Sequence, residues 1–206
     1  MNALKLMTAR SFATQIRYVV FLLVLLSLRV MAQDVHSHVA VSQQELTPAQ
    51  KHNQGVLLRI VREATERFQD VEDAERAGYV LQFGCVSGSD SGAMGLHFVN
   101  GPLVNAGVLD ARHPQIVIYE PTANGKLKLI GADFLLFADA WNVKHSGPPE
   151  LMGQLFHLFD APNRFGLPAF YTLHVWAWKD NPNGAFVNWH PNVSCEKFSG
   201  RVPEPR

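Results

Sequence analysis

The sequence predicts an α+β fold, with N-terminal helices packed on an antiparallel sheet or partly closed β-barrel and one disulfide. Helical periodicity ends near Tyr79, and from there runs of β-branched and aromatic residues alternate with turn signals. Cys85 and Cys195, the only cysteines, follow what reads as an export signal.

Thr47-Pro48-Ala49-Gln50 opens the first helix. It sets a capping hydroxyl, a proline at the first helical position and a glutamine at N3, which together make a capping box. Leu57, Ile60, Val61, Ala64 and Phe68 then recur at steps of three and four, so one face is apolar. A second, shorter helix is expected with Asp70 as its cap, Ala74 and Ala77 on its inner side and Gly78 at its end. Strands are expected over Gly95–Val99, Gln115–Glu120, Lys126–Phe137 and Tyr171–Lys179. Turns fall at Asn100-Gly101-Pro102, Asn124-Gly125, Gly147-Pro148-Pro149 and Asn181–Gly184, and Asn124-Gly125 joins the second and third strands as a hairpin.

The first thirty-two residues read differently. Lys5, Arg10 and Arg17 precede an apolar run over Tyr18–Leu28, and Val30-Met31-Ala32 ends in small residues, the pattern of a cleaved signal peptide. The run is too short for a membrane anchor. Residues 33–46 are polar and aperiodic and are expected to form a flexible arm, which leaves 47–206 as a single α+β domain. Secretion or a periplasmic location follows, with no membrane association after cleavage.

The whole chain balances 18 basic against 18 acidic residues. All four charged residues of the signal are basic, so the mature part is mildly acidic. Scattered charge of that sign excludes a nucleic-acid partner, which needs clustered Lys and Arg. In an oxidising compartment two cysteines pair most simply with each other, and a cysteine nucleophile or metal ligand is the alternative. Asn192-Val193-Ser194 is a glycosylation sequon.

No phosphate-binding loop, dinucleotide fingerprint, H-E-x-x-H or G-x-S-x-G motif occurs. The candidate chemistry lies in polar residues set inside apolar strands: His97, Glu120 beside Ile116 and Ile118, Asp133 beside Leu135 and Phe137, and His174. Burying such groups costs several kcal/mol unless they are paired or bind a metal. His97, Glu120 and His174, with Asp133 as a fourth, are therefore the expected ligands of a divalent transition metal: Zn, Cu, Mn or Fe. Strand alternation puts Trp176 and Trp178 on the His174 face as an apolar wall. His113, His145 and His190 read as loop or surface-turn residues, and His157 as a weaker further member.

The blocks Met94-Gly95-Leu96-His97, Tyr119-Glu120-Pro121, Leu173-His174-Val175-Trp176-Ala177-Trp178 and Asn181-Pro182-Asn183-Gly184, with Cys85 and Cys195, carry a resemblance. The chain resembles an uncharacterised group of exported, mostly bacterial proteins marked by MG-x-H and LH-x-W-x-W motifs, over roughly Ala74 to Cys195. The resemblance implies one exported domain with paired cysteines and supplies no activity. This chain has Ala132-Asp133-Phe134 where that group carries Val-Glu-Tyr, and the shorter side chain ranks Asp133 behind the other three ligands. It also has His190-Pro191 in place of Asn-Pro.

The expected function is an exported metal-binding protein, with a metalloenzyme of unspecified substrate as one form of it. The competing readings are a small-molecule-binding module lined by Trp141, Trp176, Trp178 and Trp189, and an envelope structural protein. If the shared site exists, the His97 and His174 nitrogens must lie roughly 3–4 Å apart. Metal affinity should then fall as the imidazoles protonate below about pH 6.5.

Overall fold

A computed structural model describes residues 45–88 and 90–200. The expected signal peptide and most of the expected arm lie outside the described residues.

Helix α1 (Pro48–Thr65) begins as its sequence directs. Thr47 Oγ1 accepts from the Gln50 amide at 3.2 Å, and Gln50 Oε1 accepts from the Thr47 amide at 2.8 Å. Its apolar stripe then seats Leu57 and Val61, both fully buried, against Phe134, Leu173 and Val175 of the sheet. A 3-10 turn carries Phe68 inward, and α2 (Val71–Arg76) starts with Asp70 accepting from the Glu72 amide. Phe68, Ala74 and Tyr79 form a second cluster with Phe98, Tyr119 and Leu129. The helices thus cover one face of the sheet.

The remaining elements follow in order. These are β1 (Val80–Ser87), β2 (Ala93–Val99), α3 (Gly101–Ala106), β3 (Ile116–Pro121), β4 (Leu127–Phe137), α4 (Ala138–Asn142), the two-residue strands β5 (Glu150–Leu151) and β6 (Gln154–Leu155), β7 (His157–Phe159) and β8 (Phe170–Val175). Six strands form one antiparallel sheet in the order β1-β2-β3-β4-β8-β7, curled into a half-barrel. The expected hairpin is β3–β4, closed by the Thr122 amide donating to Lys126 O, with Gly125 at φ 77°.

Two glycines let the sheet curl. A Cβ on Gly95, at φ +92°, would fall 2.6 Å from Tyr119 O, and one on Gly131 would fall 2.5 Å from Val175 O. Only a residue without a side chain allows neighbouring backbone that close.

Two local expectations are corrected, and one strand is added. Asn100 caps a short helix, α3, instead of ending in a turn. β1, unassigned from sequence, pairs along β2 through a bulge at Phe83-Gly84, where both residues have positive φ. The last strand ends at Val175 and not at Lys179. Beyond it the Ala177 amide donates to Val175 O at 2.8 Å, a tight turn that breaks the alternation. Cys85 and Cys195 are joined, with Cα atoms 5.7 Å apart.

Candidate metal centre

The face away from the helices is concave. Alternation along β4 and β8 sends Ala132, Phe134, Leu173 and Val175 toward the helices, and Asp133, Thr172 and His174 to the concave side. Asp133 and His174 are directly opposed across the β4–β8 pair. His97 enters from β2, three strands from β8 in the sheet order. On a flat sheet that distance would be about 14 Å at the usual strand spacing. The curl brings the rings together, and His97 Nε2 lies 3.3 Å from His174 Nε2.

His97, Asp133 and His174 are all buried, and one ligand atom from each lies within 4.8 Å of the others. The group could hold a metal ion, and its protons point the same way. His97 Nδ1 lies 3.3 Å from Gly95 O. A carbonyl can only accept, so the proton sits on Nδ1 and Nε2 presents its lone pair. His174 then has two choices. A proton on its Nδ1 leaves two Nε2 lone pairs facing each other. A proton on its Nε2 can be donated to His97, but Nδ1 is then a bare lone pair 3.6 Å from Asp133 Oδ1. The Asn188 side chain is near enough to favour the charged form of His174, yet neither His174 Nδ1 nor Asn188 Oδ1 completes a hydrogen bond. A cation accepting both Nε2 lone pairs removes the conflict. On a tetrahedral ion with metal–nitrogen bonds of 2.0–2.1 Å, two such nitrogens stand ~3.4 Å apart.

Burial controls the charges. It lowers His97 to about 4, helped by the adjacent His174, and lowers His174 to about 3. It raises the Asp133 carboxyl to about 6, opposed by His97 and by the hydrogen bond from Thr172. Thr172 Oγ1 donates to Asp133 Oδ1 at 2.6 Å and so orients the carboxylate. Sequence reasoning missed Thr172, although its place two residues before His174 put it on the same face.

The ranking of the carboxylates reverses. Asp133 joins the histidines, and Glu120 does not. Lys179 Nζ donates to Glu120 Oε2 at 2.6 Å and to Asn192 O at 2.7 Å, so this carboxylate is already balanced. The lysine was expected at the end of the last strand, but that strand stops at Val175 and the chain beyond it turns Lys179 toward Glu120.

The tryptophans part company. Trp176 stays beside His174, with ring centroids 5.9 Å apart, and packs edge-on against His190. Trp178, past the turn, lies on the helix side and donates from Nε1 to Thr65 Oγ1 at 2.9 Å. His190 is wholly buried and is no surface turn; Asn192 donates to its Nδ1, and its Nε2 contacts Asp180 O. His113 pairs with Asp110, and His145 stacks on Trp141.

A cavity of about 760 Å³ opens over the three groups. None of its lining residues is a tryptophan; the aromatic wall consists of Phe83, Phe137, Phe159, Phe165 and Phe170. β1 and β7 are the two edges of the sheet. The bulge in β1 directs Phe83 to Phe165 of the β7–β8 loop, with ring centroids 5.4 Å apart, and Phe165 in turn packs on Phe159 of β7. No family model, curated protein or solved structure matches the chain.

Proposed function

We propose that this is an exported protein that binds one divalent transition metal through His97, Asp133 and His174 and presents it to a small molecule in the cavity. The observation that carries the reading is the convergence of two imidazoles and one carboxylate, from three strands, at the base of an apolar cavity. Two histidines and a carboxylate with positions left open are the donor set of open zinc sites and of ferrous facial triads. Such a metal acts as a Lewis acid or lowers the pKa of bound water, which is the basis for a metalloenzyme. Here the protein's part is positioning: Gly95 O holds the His97 tautomer, Thr172 holds Asp133, and the phenylalanine wall limits water. Export is supported by the disulfide, which belongs to an oxidising compartment.

A binding module without metal is the second reading, and the size of the cavity favours it. Elemental analysis of purified protein, followed by zinc titration of the metal-free form, separates the two. One metal per chain is expected, with stoichiometric binding lost in His97→Ala and His174→Ala but kept in His113→Ala and Glu120→Gln. Equal metal content in all four variants would remove the metal reading.

A further inference from the structure

The cavity divides its chemistry between wall and base. Phe83, Leu135, Phe137, Phe159, Leu167 and Phe170 make most of the wall hydrocarbon. His97, Asp133, Thr172 and His174 gather its polar groups at the base, with Gln82 opposite His97 across the β1–β2 pair. Among the described residues, no lysine or arginine lines it.

Charge then restricts the ligand. Two neutral imidazoles and one carboxylate leave a divalent ion with a single uncompensated positive charge. An unpaired charge in apolar surroundings is costly, and the wall supplies no second anion. The balancing charge must enter with whatever fills the cavity. Hydroxide or chloride would balance it but would leave the phenylalanine wall against water. Resting on the metal-binding reading, we propose that the cavity takes a small amphipathic monoanion. Its oxygen-donor head group, a carboxylate or enolate, goes to the metal, and its apolar body lies along the phenylalanine wall. A cationic amphiphile would be repelled by the ion. A phosphorylated or sugar-like ligand would find no row of donors beyond the base. The volume falls within the range of small-molecule sites.

The test uses octanoate, with octanol as the same body without charge and acetate as the same head without the body. Zinc stoichiometry is measured first and independently, and each compound is then titrated calorimetrically into zinc-loaded and metal-free protein. Octanoate should bind the zinc-loaded form about tenfold or more tightly than octanol or acetate does, and should lose about tenfold when zinc is removed. Phe159→Ala should weaken octanoate and not acetate. If zinc binds one-to-one but octanoate matches octanol, or binds metal-free protein equally well, the head-group assignment is overturned and the metal reading stands. Unchanged octanoate affinity in Phe159→Ala overturns the placement of the apolar body. Protein that takes up no zinc overturns both readings.

Discussion

Of the three candidate ligands, Asp133 is the one whose ionisation changes near neutral pH, because burial raises its carboxyl to about 6 while it lowers His97 to about 4. This alters the expected pH dependence. Free imidazoles would place the loss of metal affinity near 6.5, but these two are held neutral well below that value. A metal must instead displace the proton of Asp133. Zinc affinity should be flat above pH 7 and should fall through about pH 6, by roughly tenfold for each further unit. Asp133→Asn should bind weakly and lose this dependence between pH 5 and 7. Thr172→Val, which removes the donor to the carboxylate, should cost about tenfold in affinity without moving His97 or His174. Calorimetric titration across pH checks all three, and a fall in affinity near pH 6.5 that persists in Asp133→Asn would return control to the histidines. At this scale the sequence named both histidines correctly as neighbours, since each is an isolated polar group in an apolar strand. It could not rank the two carboxylates, because that ranking depends on Lys179 meeting Glu120 at 2.6 Å, a contact across 59 residues.

At the scale of elements, the site depends on how tightly β4 and β8 approach. Gly131 lies two residues before Asp133, and a Cβ there would meet backbone, Val175 O, at 2.5 Å. Backbone on both sides cannot yield as a flexible side chain can. Gly131→Ala should therefore force the β4–β8 pair apart and cost about 1–3 kcal/mol, the usual penalty of overpacking. Since Asp133 faces His174 across that pair, zinc affinity should fall with stability. Alanine at Gly125, in the open hairpin loop, meets no atom within 4 Å and serves as the comparison, strained only by its φ of 77°. Urea unfolding with zinc titration tests both variants, and normal zinc affinity in Gly131→Ala would show that the close approach does not set the site. The β3–β4 hairpin and α1 were legible because turn chemistry and capping are local. Trp178 was misplaced because period-two alternation holds only while a strand lasts, and the strand stops at Val175.

At the scale of the whole molecule, the segment after β8 folds without regular strands yet buttresses the site. Trp176 donates from Nε1 to Val187 O and from its amide to Ala185 O, and His190 forms an isolated bridge with Ala93 at the start of β2. The disulfide anchors the far end of this run to β1 across a separation of 110 residues. The pairing was legible because only two cysteines exist. The burial of His190 was not, because it follows from its contacts with Ala93 and Trp176, which are remote in sequence, and not from any pattern near His190. A closed loop of this size restrains the unfolded chain by roughly 4–5 kcal/mol in the entropic model, and measured losses run about 2–5 kcal/mol. Oxidised protein should show no free thiol under denaturing conditions. The Cys85→Ser/Cys195→Ser variant should unfold at clearly lower urea, by an amount worth about 2–5 kcal/mol. Because His97, Asp133 and His174 stand on paired strands that precede the segment after β8, the variant should still bind one zinc while folded. Loss of zinc binding in the folded variant would mean that the segment behind Trp176 helps to form the site, and an unchanged urea midpoint would mean that the anchored segment holds without its covalent tie.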